Sequence, residues 1–278
     1  MTATVPEVAE IYTDEWARPG LPVPSQRGMD SSAGKSLALL DAFCGQQTIL
    51  GVTALAAKAD IAKSTAHRLL TVLVSHGYVR RVGDRYCLTE HAFEVGNRVP
   101  ACRPSGIREL AMPYLGDLYA QTRQTIHLAV LTGTDVLYLD KVFGHDSPRC
   151  PTSVGSRRPA YTTALGKAML AFGDSETVEA NLRVRFRRLT PSTMVSAAQM
   201  QRCLERVSHE GTATDHEESL TGVNCIAAPI LDRSTGTAIA AISICSTTPW
   251  VEQRYGRFLI RALDELSRNR APESRTAS

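Results

Sequence analysis

Residues 63–68, Lys-Ser-Thr-Ala-His-Arg, place an ammonium, two hydroxyls, an imidazole and a guanidinium within two helical turns. These groups suit a nucleic-acid duplex: arginine pairs bidentately with guanine, and lysine and hydroxyls reach phosphate or base edges. On a helix, Ser64 and Arg68 lie one turn apart on an outward face with Lys63, and Thr65 borders them. Ala66, Leu69, Leu70 and Leu73 form the inward stripe. His67 falls nearer that stripe and is expected to touch phosphate or to pack. An ordinary surface helix divides in the same way, so the flanking elements decide between the readings.

Those flanks have an order. Leu37, Leu39, Leu40 and Phe43 predict one helix from about Lys35, and Val52, Leu55, Ala56 and Ala59 predict a second, short one. Asp60-Ile61 supplies a tight turn, because aspartate tolerates a left-handed backbone. Ser64 or Thr65 is expected to cap the third helix, and Gly77 to close it. "YVRRVGDRYCL" then alternates about Gly83-Asp84 as a hairpin, carrying Arg80, Arg81 and Arg85 towards the DNA backbone or minor groove. Helix, turn, polar-fronted helix and arginine-bearing hairpin is the order of a winged helix-turn-helix.

Composition agrees with a soluble two-domain protein. The chain has 278 residues and a net charge of +3. Residues 1–33 carry two basic against five acidic side chains, and residues 34–98 carry eight against five, so the basic surplus sits with the motif. Seven cysteines without a CxxC pair argue against a disulfide framework or a structural zinc site, and for a reducing cytoplasm. The acidic, Pro-containing N-terminus lacks an apolar signal core, and no apolar run approaches membrane-spanning length. No cofactor, metal or membrane partner is expected.

Downstream, prolines in "RVPACRPSG" mark a break. Ile107, Leu110, Ala111, Tyr114, Leu115 and Leu118 make an amphipathic stripe that Pro113 is expected to split into a linker helix and a second helix. "TIHLAVL" and "VLYLDKV" flank a turn at 132–135, residues 164–172 and 197–207 read as helices, "NCIAAPI" and "AIAAISIC" as strands, and "VEQRYGRFLIRALDELSRN" as a terminal helix. This is an α+β domain with a mainly antiparallel sheet.

Together "VTALAAKADIAKSTAHRLLTVLVSHGYVRR", "RYCLTEHAFEVG", "TTALGKAMLA", "DHEESLTGVNCIAAPILD" and "AIAAISI" resemble, in order, segments of the IclR family of bacterial transcription regulators. The resemblance implies an N-terminal winged helix-turn-helix, a linker helix used in dimerisation and a GAF-like α/β effector domain. It implies palindromic double-stranded operator DNA bound by a homodimer or a homotetramer built as a dimer of dimers. It further implies a small-molecule effector, often an organic acid or aromatic compound, that changes operator affinity or polymerase recruitment, with repression expected over activation. The corresponding boundaries are a flexible arm 1–33, the DNA-binding domain 34–99, a linker 100–112, an effector domain 113–270 and a tail 271–278.

Carried over residue by residue, the family's effector pocket falls on Ala164, Leu165, Gly166, Asp215, Cys225, Ser243 and Cys245. A helix starting near Thr163 would offer N–H groups to a carboxylate. Four positions depart from the family pattern: Asp60 and Arg123 stand where glycine is usual, Ala62 where proline is common, and Cys245 where serine often closes the pocket. Arg149, Arg157 and Arg158 either neutralise an anionic effector or face solvent, and solvent is the expectation.

Competing chemistry is thin. "AGKS" at 33–36 lacks the first glycine of a phosphate loop, because position 29 is Met29. "HEGTATDHEE" gathers two histidines and four carboxylates, but a strand there scatters them over both faces. An enzyme reading makes Cys225 a nucleophile for acyl transfer or hydrolysis, with His127 or His216 as base and Asp215 as orienter. A third reading is an adaptor whose winged helix binds protein.

Overall fold

The structure, a computed structural model, describes residues 31–45, 47–99, 106–148 and 150–269. Residues 1–30 of the expected arm, the tail 271–278, residues 100–105 of the linker and Arg149 lie outside that range. The described chain divides into two compact units near Pro113 and Tyr114.

In the N-terminal unit, α1 (Ser32–Asp41), α2 (Val52–Lys58) and α3 (Lys63–Ser75) enclose a core in which Leu39, Leu55, Ala66 and Leu70 are fully buried. The predicted stripe is therefore the inward face of α3. Helix α1 begins earlier than the periodicity indicates, because Ser31 caps it by accepting the Gly34 N–H at 2.9 Å. Asp60 takes the left-handed backbone expected of it, at φ 51°. The cap of α3 differs from expectation: Ala62 occupies the position, extended and without a side-chain bond, while its carbonyl accepts the Ala66 N–H at 2.9 Å. Ser64 and Thr65 are two and three residues too late to cap, and they sit within the first turn.

Strands β2 (Val79–Val82) and β3 (Arg85–Leu88) form the predicted hairpin, and the short β1 (Leu50–Gly51) joins β3 to give the antiparallel order β1-β3-β2. The turn needs Gly83, whose φ is 63°. A seven-residue helix, α4 (Glu90–Gly96), follows and was not foreseen, since none of its residues is buried and it carries no inward stripe.

Helix α5 (Ile107–Thr122) runs through Pro113 as one element, against the expected split. Proline removes one backbone bond and crowds the preceding turn, but burial of Ala111, Leu115 and Leu118 holds the helix together. Arg123 then adopts φ 59° between α5 and β4, where a left-handed residue is required.

The C-terminal unit is built on a six-stranded antiparallel sheet of order β6-β5-β4-β9-β8-β7. Its strands are β4 (Thr125–Thr132), β5 (Asp135–Val142), β6 (Arg157–Pro159), β7 (Ala213–His216), β8 (Asn224–Leu231) and β9 (Ala238–Ser246). Period-two alternation separates its faces. Ile226 and Ile244 pair on the face covered by the terminal helix α9 (Val251–Asn269), which packs on β8 and β9. The opposite face receives the buried helix α6 (Ala164–Leu170), with α7 (Ser175–Leu182) and α8 (Ala197–Glu210) outside it.

Candidate functional site

On α3, Lys63, Ser64, His67 and Arg68 are exposed, and Thr65 is half-buried at the edge of the group. His67 is thus free of the core, which corrects the packing expectation: one helical step carries it past the edge of the Ala66–Leu70 stripe. The hairpin distributes its arginines unequally. Arg80 and Arg85 share the outer face, because their cross-strand partners Cys87 and Val82 alternate with the core-facing Val79. Arg80 lies across the strand, donating from Nε to Cys87 Sγ at 3.2 Å and pairing with Glu90 at 3.5 Å. Arg81 points from the other face and donates to the Gly83 carbonyl at 2.8 Å, bracing the turn. A basic hairpin beside a polar helix face has the cations and donors that phosphate contacts need.

The second site follows from strand register. Asp215 on β7, Cys225 on β8, Cys245 on β9 and Thr125 on β4 stand directly opposite one another in one row across the sheet. The next row on the same face contains Ala227, Ser243, His127 and Lys141. These rows, the start of α6 and the segment 150–152 surround a small, partly open cavity of about 40 Å³. Its walls include Ala164, Leu165, Asp215, Cys225, Ser243 and Cys245, six of the residues placed there by resemblance.

Gly166 does not line it. A Cβ there would come within 2.2 Å of the Ala160 carbonyl oxygen, so the glycine serves the packing of α6 against the preceding turn. The expected seat of free N–H groups is also partly used internally, since Thr163 Oγ1 accepts the Gly166 N–H at 3.0 Å. Arg158, expected in solvent, is buried and lines the cavity, because β6 pairs it opposite Val136 at the sheet edge.

The strap over the cavity is pinned from the sheet. Lys141 Nζ donates to the carbonyls of Cys150 and Thr152 at 2.7 and 2.8 Å, His127 Nε2 meets Thr152 Oγ1 at 2.8 Å, and Ser147 donates to the Cys245 carbonyl at 2.8 Å. Burial, helped by the Lys141 charge, lowers the His127 pKa to about 3, so this imidazole is neutral. Burial raises the Asp215 carboxyl to about 7, as does the charge of Glu218; Lys167 and the backbone N–H groups of Glu218 and Ser219 oppose the rise.

Sequence reasoning missed the support beneath Asp215. Lys167 lies in a helix whose residues are all buried, and its Nζ meets Glu218 Oε1 at 2.6 Å. A lone lysine within the all-apolar run Ala-Leu-Gly-Lys-Ala-Met-Leu was the available signal, because such a cation must be paired. Tyr138 and Cys150 also line the cavity unforeseen. The proposed enzyme constellation does not assemble: His127 meets Cys245 at 3.5 Å, His216 meets Asn224 at 3.2 Å, and the Cys225 thiol is held protonated. Among the described residues no cluster of three or more His, Cys, Asp or Glu side chains is arranged to hold a metal ion.

A winged helix-turn-helix unit and an antiparallel effector unit enclosing a small cavity define a transcription regulator of the helix-turn-helix class. Comparison with known proteins gives the family. Residues 32–83 match the IclR helix-turn-helix domain and residues 101–269 match the bacterial transcriptional regulator IclR C-terminal domain, so the chain belongs to the IclR family. It is 35% identical over 221 residues to the HTH-type transcriptional regulator KdgR of Dickeya chrysanthemi, covering 78% of this chain and 71% of that one. It is 29% identical over 269 residues to the transcriptional repressor IclR of Escherichia coli K12, covering 94% and 97% respectively. The crystal structure of the Thermotoga maritima IclR superimposes with a TM-score of 0.68 at 28% identity, over 85% of this chain and 97% of that one. An IclR homolog of Microbacterium hydrocarbonoxydans, complexed with 4-hydroxybenzoate, shares the fold with a TM-score of 0.78 at 23% identity, over 86% and 98%.

Proposed function

We propose that this member of the family is a ligand-responsive repressor that binds double-stranded operator DNA as a homodimer or dimer of dimers in the cytoplasm. Lys63, Ser64, Thr65, His67 and Arg68 on α3 read the duplex, and Arg80, Arg81 and Arg85 contact its backbone. The effector is a small organic acid or aromatic compound bound within the sheet cavity. Arg158 is added to the expected ligand residues, as a cation suited to a carboxylate, and Gly166 acts through packing alone. The domain limits 34–99, 100–112 and 113–270 are carried in this reading.

The observation that carries it is the alignment of Asp215, Cys225 and Cys245 in one cross-strand row, with Ser243 in the next, so that these polar groups converge with Arg158 on one small, partly open cavity. A metabolite preferring one placement of paired winged helices shifts the population that spans both half-sites, in proportion to its difference in affinity. The membrane is left out of this reading: among the described residues no helix is long and apolar enough to cross one.

The test has two stages. A thermal-shift screen of small acids and aromatics on the full chain identifies stabilising compounds, because ligands that bind the native state raise its melting point. Mobility shift on its own promoter region then measures release. Saturating compounds that leave operator affinity unchanged, or a promoter ignored at low salt, overturn the reading.

A further inference from the structure

The cavity carries three thiols, Cys150, Cys225 and Cys245, none of them in a disulfide. Cys225 and Cys245 are directly opposed on antiparallel β8 and β9, and their sulfurs are 2.6 Å apart. Directly opposed residues of an antiparallel pair have Cα atoms about 4.5–5.5 Å apart, within the roughly 4.4–6.8 Å that a disulfide spans.

Three chemistries are open to such a pair, and geometry separates them. A tetrahedral zinc ion about 2.3 Å from each sulfur holds the two about 3.8 Å apart, so metal ligation requires the pair to open by about an ångström. Nucleophilic catalysis requires a standing thiolate held by a base strong enough to keep its proton, yet burial keeps both thiols protonated and leaves the neighbouring imidazole, at a pKa of about 3, able to relay a proton but too weakly basic to hold one. Disulfide formation requires the sulfurs to close by only about half an ångström and leaves no charge in a desolvated place.

We propose that Cys225 and Cys245 form a reversible disulfide inside the effector cavity, with a hydroperoxide as oxidant. The Cys245 sulfur attacks one peroxide oxygen; the O–O bond breaks, an S–OH group forms, and water or an alcohol leaves with the thiol proton. His127 Nδ1, 3.5 Å away, is positioned to pass that proton on. The Cys225 sulfur then attacks the oxidised sulfur; the S–S bond forms, the S–O bond breaks, and the second thiol proton departs in water. Two electrons pass from the sulfurs to the peroxide. Because both thiols start protonated, the reaction is slower than at an exposed thiolate. The consequence for regulation rests on the ligand-sensing reading: the disulfide removes two S–H groups from the cavity wall and fixes β8 to β9 beside Asp215.

The test treats the full chain with hydrogen peroxide, alkylates the remaining thiols after unfolding, and maps tryptic peptides without reductant. Trypsin separates the two cysteines at Arg233 and releases Cys150 after Arg149. The expected result is a peptide pair joining 225 to 245, about 2 Da lighter than the sum of the reduced peptides, reversed by dithiothreitol and absent from Cys225→Ser and Cys245→Ser. Linkage through Cys150, or full alkylation of both positions after the exposed Cys44 has been oxidised, overturns the proposal. The wild-type map decides the matter even if a variant folds poorly. A covalent mass also reads the same whether or not operator binding is found, so failure here is distinct from failure of the regulator reading.

Discussion

Lys167 and Glu218 form a 2.6 Å ion pair behind the sheet cavity, with 1% of the lysine side chain and 11% of the glutamate side chain exposed. Removing one member of a buried pair leaves the other charge without compensation, at a cost of about 3–5 kcal/mol. Lys167→Met and Glu218→Gln are each expected to lower the urea midpoint by that order. The double variant Lys167→Met/Glu218→Leu recovers much of the loss, because it leaves neither charge stranded. Additive losses in the double variant would show that the two side chains act separately.

The carboxyl of Asp215 titrates near pH 7 in the folded chain, mainly through burial, against a reference of 3.8. Between about pH 4 and pH 7 the native state therefore holds a proton that the unfolded chain has released. The unfolded state binds fewer protons, so stability falls as pH rises through this window. His127 acts in the opposite sense: its depressed pKa means that the unfolded chain takes up a proton below about pH 6.5. Asp215→Asn isolates the carboxyl. The variant gains stability relative to wild type as pH rises from 4 to 7, read as the difference between denaturant curves, and a pH-independent difference would assign the raised pKa elsewhere.

How much of this was legible in the sequence depends on the range of the interactions. The stripe of α3, the turn at Asp60 and the Gly83 hairpin are local, set by spacing and backbone preference, and they could be read directly. Pro113 misled because a local rule was outweighed by burial of Ala111, Leu115 and Leu118. The cavity is non-local: Cys225 faces Asp215 and Cys245 only through a strand register that no single segment encodes. Family resemblance supplied six of its lining residues. It left out Arg158, brought to the wall by the short edge strand β6, and it credited Gly166 with a lining role that belongs to its neighbours.

Gly166 tests that last distinction. A Cβ at this position would lie 2.2 Å from the Ala160 carbonyl oxygen and 2.5 Å from Ala160 Cα, both backbone atoms that cannot rotate away. Gly166→Ala is expected to destabilise the effector unit by about 1–3 kcal/mol, the usual cost of overpacking, seen as a lower thermal midpoint. A variant as stable as wild type would mean that α6 shifts without penalty.

Arg68 tests the duplex interface. Its guanidinium is on the exposed face of α3, one turn from Ser64, while Ala66, Leu69 and Leu70 anchor that stretch of the helix in the core. Arg68→Ala is therefore expected to leave the circular dichroism spectrum and thermal midpoint unchanged while weakening operator binding by about 1–3 kcal/mol, or roughly 5- to 150-fold. Two contributions separate by salt titration. If Arg68 neutralises a phosphate, the slope of log K against log salt becomes shallower by about 0.9 in the variant. If it reads a guanine, the slope holds and the loss concentrates at one base pair, so substituted operators are bound more evenly. Wild-type affinity in Arg68→Ala, at any salt concentration, would remove this residue from the interface and leave the reading of α3 to Lys63, Ser64 and Thr65.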